Sequence, residues 1–204
     1  MNLKMRKHFI ATFFFIFINS YTFGDESKIN RIEVLVNEDV ITNYDIVQRM
    51  KINAILNRIE VNDDNYNSLL NAVVDDLIIQ KLKNKKVDEY NINFDKSEFD
   101  KYEIRFYSST NFEKEELENL LTINNINLNH LTELLETELK WQKLIYGLYL
   151  RVTSVTEQEV NELINKNQNL SEEIANEIVL QKQLDIKSQK LIKDLRDEAT
   201  IEYK

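Results

Sequence analysis

The sequence predicts a mostly α-helical protein that carries one small antiparallel ribbon. Proline is absent, and only two glycines, Gly24 and Gly147, occur among the 204 residues. Proline and glycine are the residues that most often interrupt helices and form turns, so their scarcity favours long helices. Two short segments, one near each end of the chain, have the alternating pattern of β-strands instead. We therefore expect a helical body with a two-stranded ribbon.

The two alternating segments are expected to pair with each other. Residues 32–36 (IEVLV) have β-branched side chains at every second position, and residues 200–204 (TIEYK) place Ile201 and Tyr203 in the same way. A lone strand would leave its backbone N–H and C=O groups without partners. Because each segment is the only strand-like partner that the sequence offers to the other, we predict that the ribbon joins the N- and C-terminal parts of the chain.

Capping residues mark where several predicted helices begin. In a capping box the cap residue and an acidic residue three positions later bond each other's backbone N–H groups. Thr42 with Asp45, Asp95 with Glu98, and residues 156–159 (TEQE) have this spacing. Combined with apolar residues at helical intervals, the caps predict helices from Thr42 to about Leu56, over about 66–85, 95–107, 114–122 and 128–150, from Thr156, and over about 171–199.

Residues 1–24 have the layout of a secretory signal peptide. The first seven residues carry three cations and no acid, residues 9–18 are apolar apart from one threonine, and Thr22 and Gly24 are small residues ahead of a cleavage site before Asp25. This apolar run is about half the roughly 20 residues that a membrane-spanning helix needs. We expect export of the chain and removal of residues 1–24, with an uncleaved N-terminal anchor as the alternative.

Residues 25–204 are expected to form one acidic domain. Removing residues 1–24 changes the formal net charge from −9 to −12, because the segment contains three lysine and arginine residues and no acid. A chain of this length buries enough surface to fold without a staple, and it contains no cysteine. An acidic chain without a basic stripe argues against nucleic acid as a partner. No later segment is apolar enough for stable membrane insertion.

The sequence offers few groups for catalysis. It has no cysteine and only two histidines, His8 and His130, whereas metal sites draw chiefly on these residue types. Adjacent acids such as Asp75 and Asp76 point about 100° apart on a helix. A nucleophile with a histidine base would have to use His130, the one histidine outside the signal peptide, and a Ser–Lys pair stays open. We predict no catalytic residue, no metal site and no cofactor, and therefore no enzyme.

Several segments resemble, in order, the SurA family of periplasmic chaperones. Residues 34–46 (VLVNEDVITNYDI) are similar to the family's opening, where a strand reading VNxxVIT is followed at once by a helix with an aspartate near its start. The resemblance continues through residues 69–87, 127–145 and 155–164, and it ends with 189–204 (QKLIKDLRDEATIEYK), which look like the family's C-terminal helix and closing strand. It covers essentially the whole chain after the signal peptide.

This resemblance implies an ATP-independent chaperone that binds unfolded outer-membrane β-barrel precursors and assists their folding and delivery. It also implies a helical core in which the C-terminal helix, about 171–199, returns to the N-terminal part. Full-length members carry parvulin-type prolyl isomerase domains before that helix, whereas only residues 165–170 are available here. The expected protein is thus the chaperone core without its isomerase domains. The alternative is a periplasmic adaptor that holds one folded partner, for example on the barrel-insertion machinery.

A chaperone of this kind needs apolar side chains that are open to solvent. Aromatic residues are suited to such a surface because they bury large areas and tolerate a wet edge. Aromatic stripes at helical spacing belong to the core more often than to a binding surface, so both interpretations stay open for each residue. The candidate client-binding residues are Tyr102, Phe106, Tyr107, Trp141, Ile145, Tyr146 and Tyr149.

Overall fold

The computed structural model describes residues 30–167 and 169–204, and the predicted signal peptide, residues 1–24, lies outside the described residues. The prediction of a mostly helical chain with a small antiparallel sheet is confirmed. The elements of the described part are β1 (Ile32–Val36), β2 (Asp39–Thr42), α1 (Asn43–Asn57), α2 (Tyr66–Glu89), α3 (Lys96–Ser109), α4 (Lys114–Ile123), α5 (Leu128–Tyr149), a 3₁₀ turn (Leu150–Val152), α6 (Glu157–Lys166), α7 (Glu172–Glu198) and β3 (Ile201–Tyr203).

The predicted pairing of the two distant strands is confirmed. β1 lies between β2 and β3, and both neighbours run antiparallel to it. Val36 is opposite Ile201, and Val34 is opposite Tyr203. Val34 and Val36 point into the core, where they pack with residues of α1 and α2. The sheet therefore fixes the end of α7 beside the start of α1.

The sheet has three strands where two were predicted. The additional strand, β2, follows β1 after a turn at Asn37 and Glu38, and Val36 pairs with Asp39. The usual marker of so short a hairpin is Asn-Gly or Asp-Gly, and here the second position is glutamate. Asn37 nevertheless adopts φ of 55°, a left-handed conformation that asparagine tolerates better than most residues. Strand β2 also ends at Thr42, the residue that caps α1.

The three predicted capping boxes are confirmed. The backbone N–H of Thr42 donates to the Asp45 carboxylate at 2.9 Å, and the N–H of Asp45 donates to the Thr42 hydroxyl at 3.2 Å. Reciprocal bonds of the same kind open α3 and α6. These caps satisfy N–H groups that a helix cannot satisfy internally, and they define where each helix leaves its preceding loop.

Helix α5 is the central element of the described fold. It packs against α1, α2, α3, α4 and α7. Its buried side chains contribute to two of the four apolar clusters, one shared with α1, α3 and α4 and the other with α2 and α7. A third cluster lies beneath the sheet, and a small fourth cluster joins α6 to the first half of α7. Part of the surface of α5 faces the space between α3 and α7.

Polar contacts tie α7 back onto the rest of the chain. The guanidinium of Arg196 is 2.7 Å from the Asp75 carboxylate on α2, near the sheet. Two turns earlier in α7, the Ser188 hydroxyl accepts a hydrogen bond at 2.8 Å from the indole N–H of Trp141 on α5. These contacts agree with the expected return of the C-terminal helix to the N-terminal part. Within residues 30–167 and 169–204, no helix combines the length and apolarity required to cross a bilayer.

Candidate binding cleft

Three of the seven candidate binding residues belong to the core. Tyr107, Trp141 and Ile145 are 8%, 3% and 4% exposed, because α4 covers the first and α2 and α7 cover the other two. Their interpretation as surface residues is therefore corrected to a structural one. Tyr149 is half-buried and packs against the same apolar cluster as Trp141.

The remaining three candidates, Tyr102, Phe106 and Tyr146, line one cleft. Tyr102 and Phe106 are one turn apart on α3, and Tyr146 projects from α5. The cleft has a volume of about 540 Å³, with α5 between α3 and α7. Sequence reasoning missed its other lining residues, which are Arg105, Ser109, Gln142 and Gln181.

The direction of the cleft-lining side chains follows from helical geometry. Residues four positions apart share one face of a helix, so Gln142 and Tyr146 lie side by side on α5. Trp141 and Ile145 are offset from them by about 100° and point into the core instead. On α3, a spacing of three positions places Arg105 beside Tyr102 and Ser109 beside Phe106. Arg105, Ser109 and Gln142 could have been identified from the sequence, because each lies three or four positions from a predicted aromatic residue.

Two polar contacts connect the elements around the cleft. The ammonium of Lys143 on α5 lies 2.7 and 2.8 Å from the two carboxylate oxygens of Glu98 on α3. This hydrogen bond, together with the backbone N–H of Asp95, lowers the pKa of Glu98. On the opposite side, the hydroxyl of Tyr146 donates to the side-chain oxygen of Gln181 on α7 at 3.1 Å. Both walls are thus attached to α5.

The aromatic rings of α3 are held by their neighbours. Phe106 packs edge-on against Tyr107, with ring centroids 5.3 Å apart. The guanidinium of Arg105 lies 5.8 Å from the ring centroid of Tyr102. Burial raises the pKa of Tyr102, and the nearby Glu138 adds to this effect while Arg105 opposes it. The cleft therefore presents apolar ring surface beside a positive charge and amide groups.

An exposed apolar stripe lies beyond the cleft, on the end of α5, the 3₁₀ turn that follows it, and α7. The two helices run antiparallel, because Trp141 contacts Ser188 and Tyr146 contacts Gln181. Leu150, one turn beyond Tyr146, therefore lies at the level of Ile178, and Ile174 is one turn farther along the same face of α7. Tyr146, Leu150, Ile178 and Ile174 are between 42% and 48% exposed.

The side chains of the cleft and the stripe are suited to contacting a partner. Aromatic and aliphatic side chains can cover apolar groups of a partner, and the amides of Gln142 and Gln181 can bond a partner's backbone. Among the residues that the structure describes, no group of three or more His, Cys, Asp or Glu side chains is placed to hold a metal ion. No protein-family model matches this chain, and no curated protein sequence matches it.

Proposed function

We propose that this protein is an ATP-independent periplasmic chaperone, similar to the SurA core, that binds unfolded outer-membrane β-barrel precursors and assists their folding and delivery. The observation that carries the proposal is the cleft of Tyr102, Phe106 and Tyr146 with its apolar continuation on Ile178. Contiguous apolar surface on a soluble chain commonly marks a binding site. The resemblance of the chain to the SurA family supplies the class of client.

The dimensions of the surface fit short apolar segments. A volume of about 540 Å³ is within the usual range of pockets for small ligands and can enclose one or two side chains. The stripe beyond the cleft is open, so a bound chain would stay partly hydrated and would bear the entropic cost of becoming ordered. We therefore expect modest affinity and rapid exchange, which suit a carrier that must release its client without ATP.

The acidic charge supports the same proposal. The formal net charge of −9 becomes −12 once residues 1–24 are removed. Repulsion between like-charged particles would keep client-loaded complexes apart and in solution. Arg105 is the one charged residue among those that line the cleft, so attraction between opposite charges would contribute little to holding a client.

An aggregation assay tests the proposal. Light scattering would follow a urea-unfolded β-barrel protein after dilution into the purified chain without residues 1–24. We expect near-stoichiometric chaperone to delay aggregation and Ile178→Ser to weaken the delay, because the substitution removes exposed apolar surface next to the cleft. The matched control is Ile104→Ser, which removes an isoleucine that is also exposed but lies on the far side of α3.

Two results of this assay would contradict the proposal. Aggregation that proceeds unchanged at several-fold excess of the protein would rule out the chaperone activity, and equal effects of the Ile178 and Ile104 variants would rule out the cleft. Turnover in a prolyl isomerase assay would contradict the expectation that the protein is not an enzyme. A pull-down from envelope extract that yields one stoichiometric folded partner, rather than many barrel precursors, would favour the adaptor alternative.

A further inference from the structure

A second, smaller cavity shares no lining residue with the cleft. It has a volume of about 60 Å³ and is enclosed by α1, α2, the first turns of α5 and the end of β2. Apolar, amide, acidic and basic side chains all contribute to its wall. The lining residues that matter for binding are Asp45, Arg49, Gln80, Lys81, His130 and Glu133.

Arg49 is the unusual residue of this cavity. Its side chain is 5% exposed, and its guanidinium donates to the side-chain oxygen of Gln80. Within residues 30–167 and 169–204, it forms no ion pair with a carboxylate, whereas the buried Lys83 is paired with Glu138. A buried charge is costly unless a counter-charge and hydrogen bonds compensate it. A guanidinium has five N–H donors, so one amide oxygen leaves most of its bonding capacity for another acceptor.

The nearby carboxylates do not neutralise Arg49 fully. One oxygen of Asp45 accepts hydrogen bonds from both the N–H and the hydroxyl of Thr42, as part of the cap of α1. Glu138 is engaged with Lys83. Burial lowers the pKa of Arg49, and the charges of Asp76, Glu138, Asp45 and Glu133 only partly oppose this effect. Since the guanidinium donates one hydrogen bond, to Gln80, its other N–H groups can bond an acceptor that enters the cavity.

The surroundings of Arg49 include a second cation, the Lys81 ammonium, and the aromatic rings of His130 and Tyr44. Lys81 and His130 line the cavity, and the ring of His130 packs against that of Tyr44 with centroids 5.4 Å apart. Tyr44 is itself exposed. The carboxylates of Asp45 and Glu133 also line the cavity and would disfavour a ligand with several negative charges. A single small anionic group is thus the best match.

We propose that this cavity binds a carboxylate group, with Arg49 as its main partner and Lys81 at its edge. The two oxygens of a carboxylate fit the parallel N–H groups of a guanidinium, a geometry that combines charge with directed hydrogen bonds. A cavity needs about 10–15 Å³ to hold one water molecule, so about 60 Å³ admits a carboxylate and little more. The carboxylate could belong to a free organic acid or to a polypeptide, and both present the same group.

Thermal unfolding of the full chain tests this proposal. Sodium acetate would be titrated against sodium chloride at equal ionic strength, because a ligand that binds only the folded state raises the melting temperature. We expect acetate to raise it in the unchanged protein and to have an effect in Arg49→Met no larger than that of chloride. Loss of a charged hydrogen-bond partner corresponds to about tenfold weaker binding or more. Arg151→Met is the matched control, since that arginine is exposed on the 3₁₀ turn and lines neither of the two described cavities.

Two further arms complete the test. N-acetyl-trialanine with a free C-terminus would be compared with its C-terminal amide, and greater stabilisation by the free acid than by acetate would assign the site to a polypeptide. Should Arg49→Met fail to fold, the nitrogen resonances of the arginine side chains in the unchanged protein would report acetate binding directly. Equal effects of acetate and chloride, or acetate binding that persists in Arg49→Met, would overturn the proposal. None of these outcomes depends on the chaperone activity.

Discussion

Asn37 and Thr200, which are 163 positions apart in the chain, are joined by two hydrogen bonds. The backbone N–H of Asn37 donates to the carbonyl of Thr200 at 2.8 Å, and the N–H of Thr200 donates to the side-chain oxygen of Asn37 at 3.0 Å. The same asparagine makes the turn from β1 to β2 with φ of 55°. One side chain thus fixes both the hairpin and the arrival of the chain from α7.

Substitution of Asn37 should separate its two roles. Asn37→Gly keeps access to positive φ but loses the side-chain bond to Thr200, so we expect a loss of about 1 kcal/mol in the free energy of unfolding. Asn37→Ala should cost roughly 1 kcal/mol more, because a left-handed conformation is unfavourable for residues with a Cβ. Urea unfolding would measure both values. Equal stability of the two variants would show that the backbone conformation contributes nothing.

Removal of residues 200–204 should destabilise the whole domain. The truncation deletes β3, its hydrogen bonds to β1 and the contact of Ile201 with the core beneath the sheet. We expect the melting temperature to fall by roughly 5–10 °C, from a loss of a few kcal/mol in a domain of this size. Tyr203→Thr is the control, since this exposed residue can be replaced while the strand remains. An unchanged melting curve after truncation would mean that β3 does not support the fold.

The Lys83–Glu138 pair should respond unequally to loss of its two partners. The ammonium lies 2.6 Å from the carboxylate, and the lysine side chain is 11% exposed against 32% for the glutamate. Glu138→Gln leaves the more buried charge without its counter-ion, so we expect it to cost about 2–3 kcal/mol. Lys83→Met should cost less, because an apolar side chain can fill the space beside Trp141. Chemical denaturation measures both costs.

An exposed ion pair provides the control for the Lys83–Glu138 experiment. Lys96 and Asp100 form such a pair on α3, with side chains that are largely in water. Pairs of this kind are worth about 0–1 kcal/mol, so Lys96→Met should change stability little. A larger cost for Lys83→Met than for Glu138→Gln would contradict the burial argument.

The Glu98–Lys143 contact between α3 and α5 should make stability depend on pH. The hydrogen bond from Lys143 lowers the pKa of Glu98 in the folded state. A lowered carboxyl pKa stabilises the fold above the unfolded value of about 4.3, and this stabilisation is lost as the pH falls through the lower folded value. The stability difference between the unchanged protein and Glu98→Gln should therefore be constant above about pH 6 and shrink in acid.

Lys143→Met supplies the matched comparison for this pH dependence. Without the ammonium, Glu98 loses the contact that contributes most to its pKa shift. Most of the acid-dependent difference should then disappear from unfolding curves recorded between about pH 3 and pH 7, the range that spans the unperturbed glutamate pKa. A difference that persists unchanged in the Lys143 variant would place the source of the shift elsewhere.

Trp141 offers an optical readout of the contact between α5 and α7. It is the only tryptophan in the chain, it is buried, and its N–H donates to Ser188 at 2.8 Å. Ser188→Ala leaves a buried donor without its partner, so we expect a loss of about 1–3 kcal/mol and a change in tryptophan fluorescence. Ser108→Ala, on the exposed side of α3, should alter neither. Unchanged fluorescence and stability in Ser188→Ala would contradict the structural role of this bond.

Local signals predicted much of the fold. The capping boxes at Thr42, Asp95 and Thr156 identified three helix starts, because a cap involves only four consecutive residues. Strand β2 was missed for the opposite reason: its turn at Asn37 lacks the usual glycine and is supported by Thr200, which is distant in sequence. A contact of that range leaves no trace in the local pattern, even though the pairing of its flanking strands was predicted.

The site was predicted less completely than the fold. Trp141 and Tyr146 are both aromatic residues of α5, yet one is buried and the other lines the cleft. The difference depends on which sides of α5 are covered by α2, α3 and α7, and this arrangement is set by tertiary packing. For the same reason, the exposure of Ile174 and Ile178 on α7 could not be predicted from their apolar character.

The position of β3 also determines when the protein can finish folding as it is synthesised. Helices α1 to α5 can approach one another while later residues are still inside the ribosome, but β1 must wait for residues 201–203 before its second edge is covered. Contacts that close such long loops form slowly, and an unpaired strand edge can pair with strands of other chains. A nascent chain that stops just before Thr200 would therefore expose the edge of β1 that β3 covers in the folded protein.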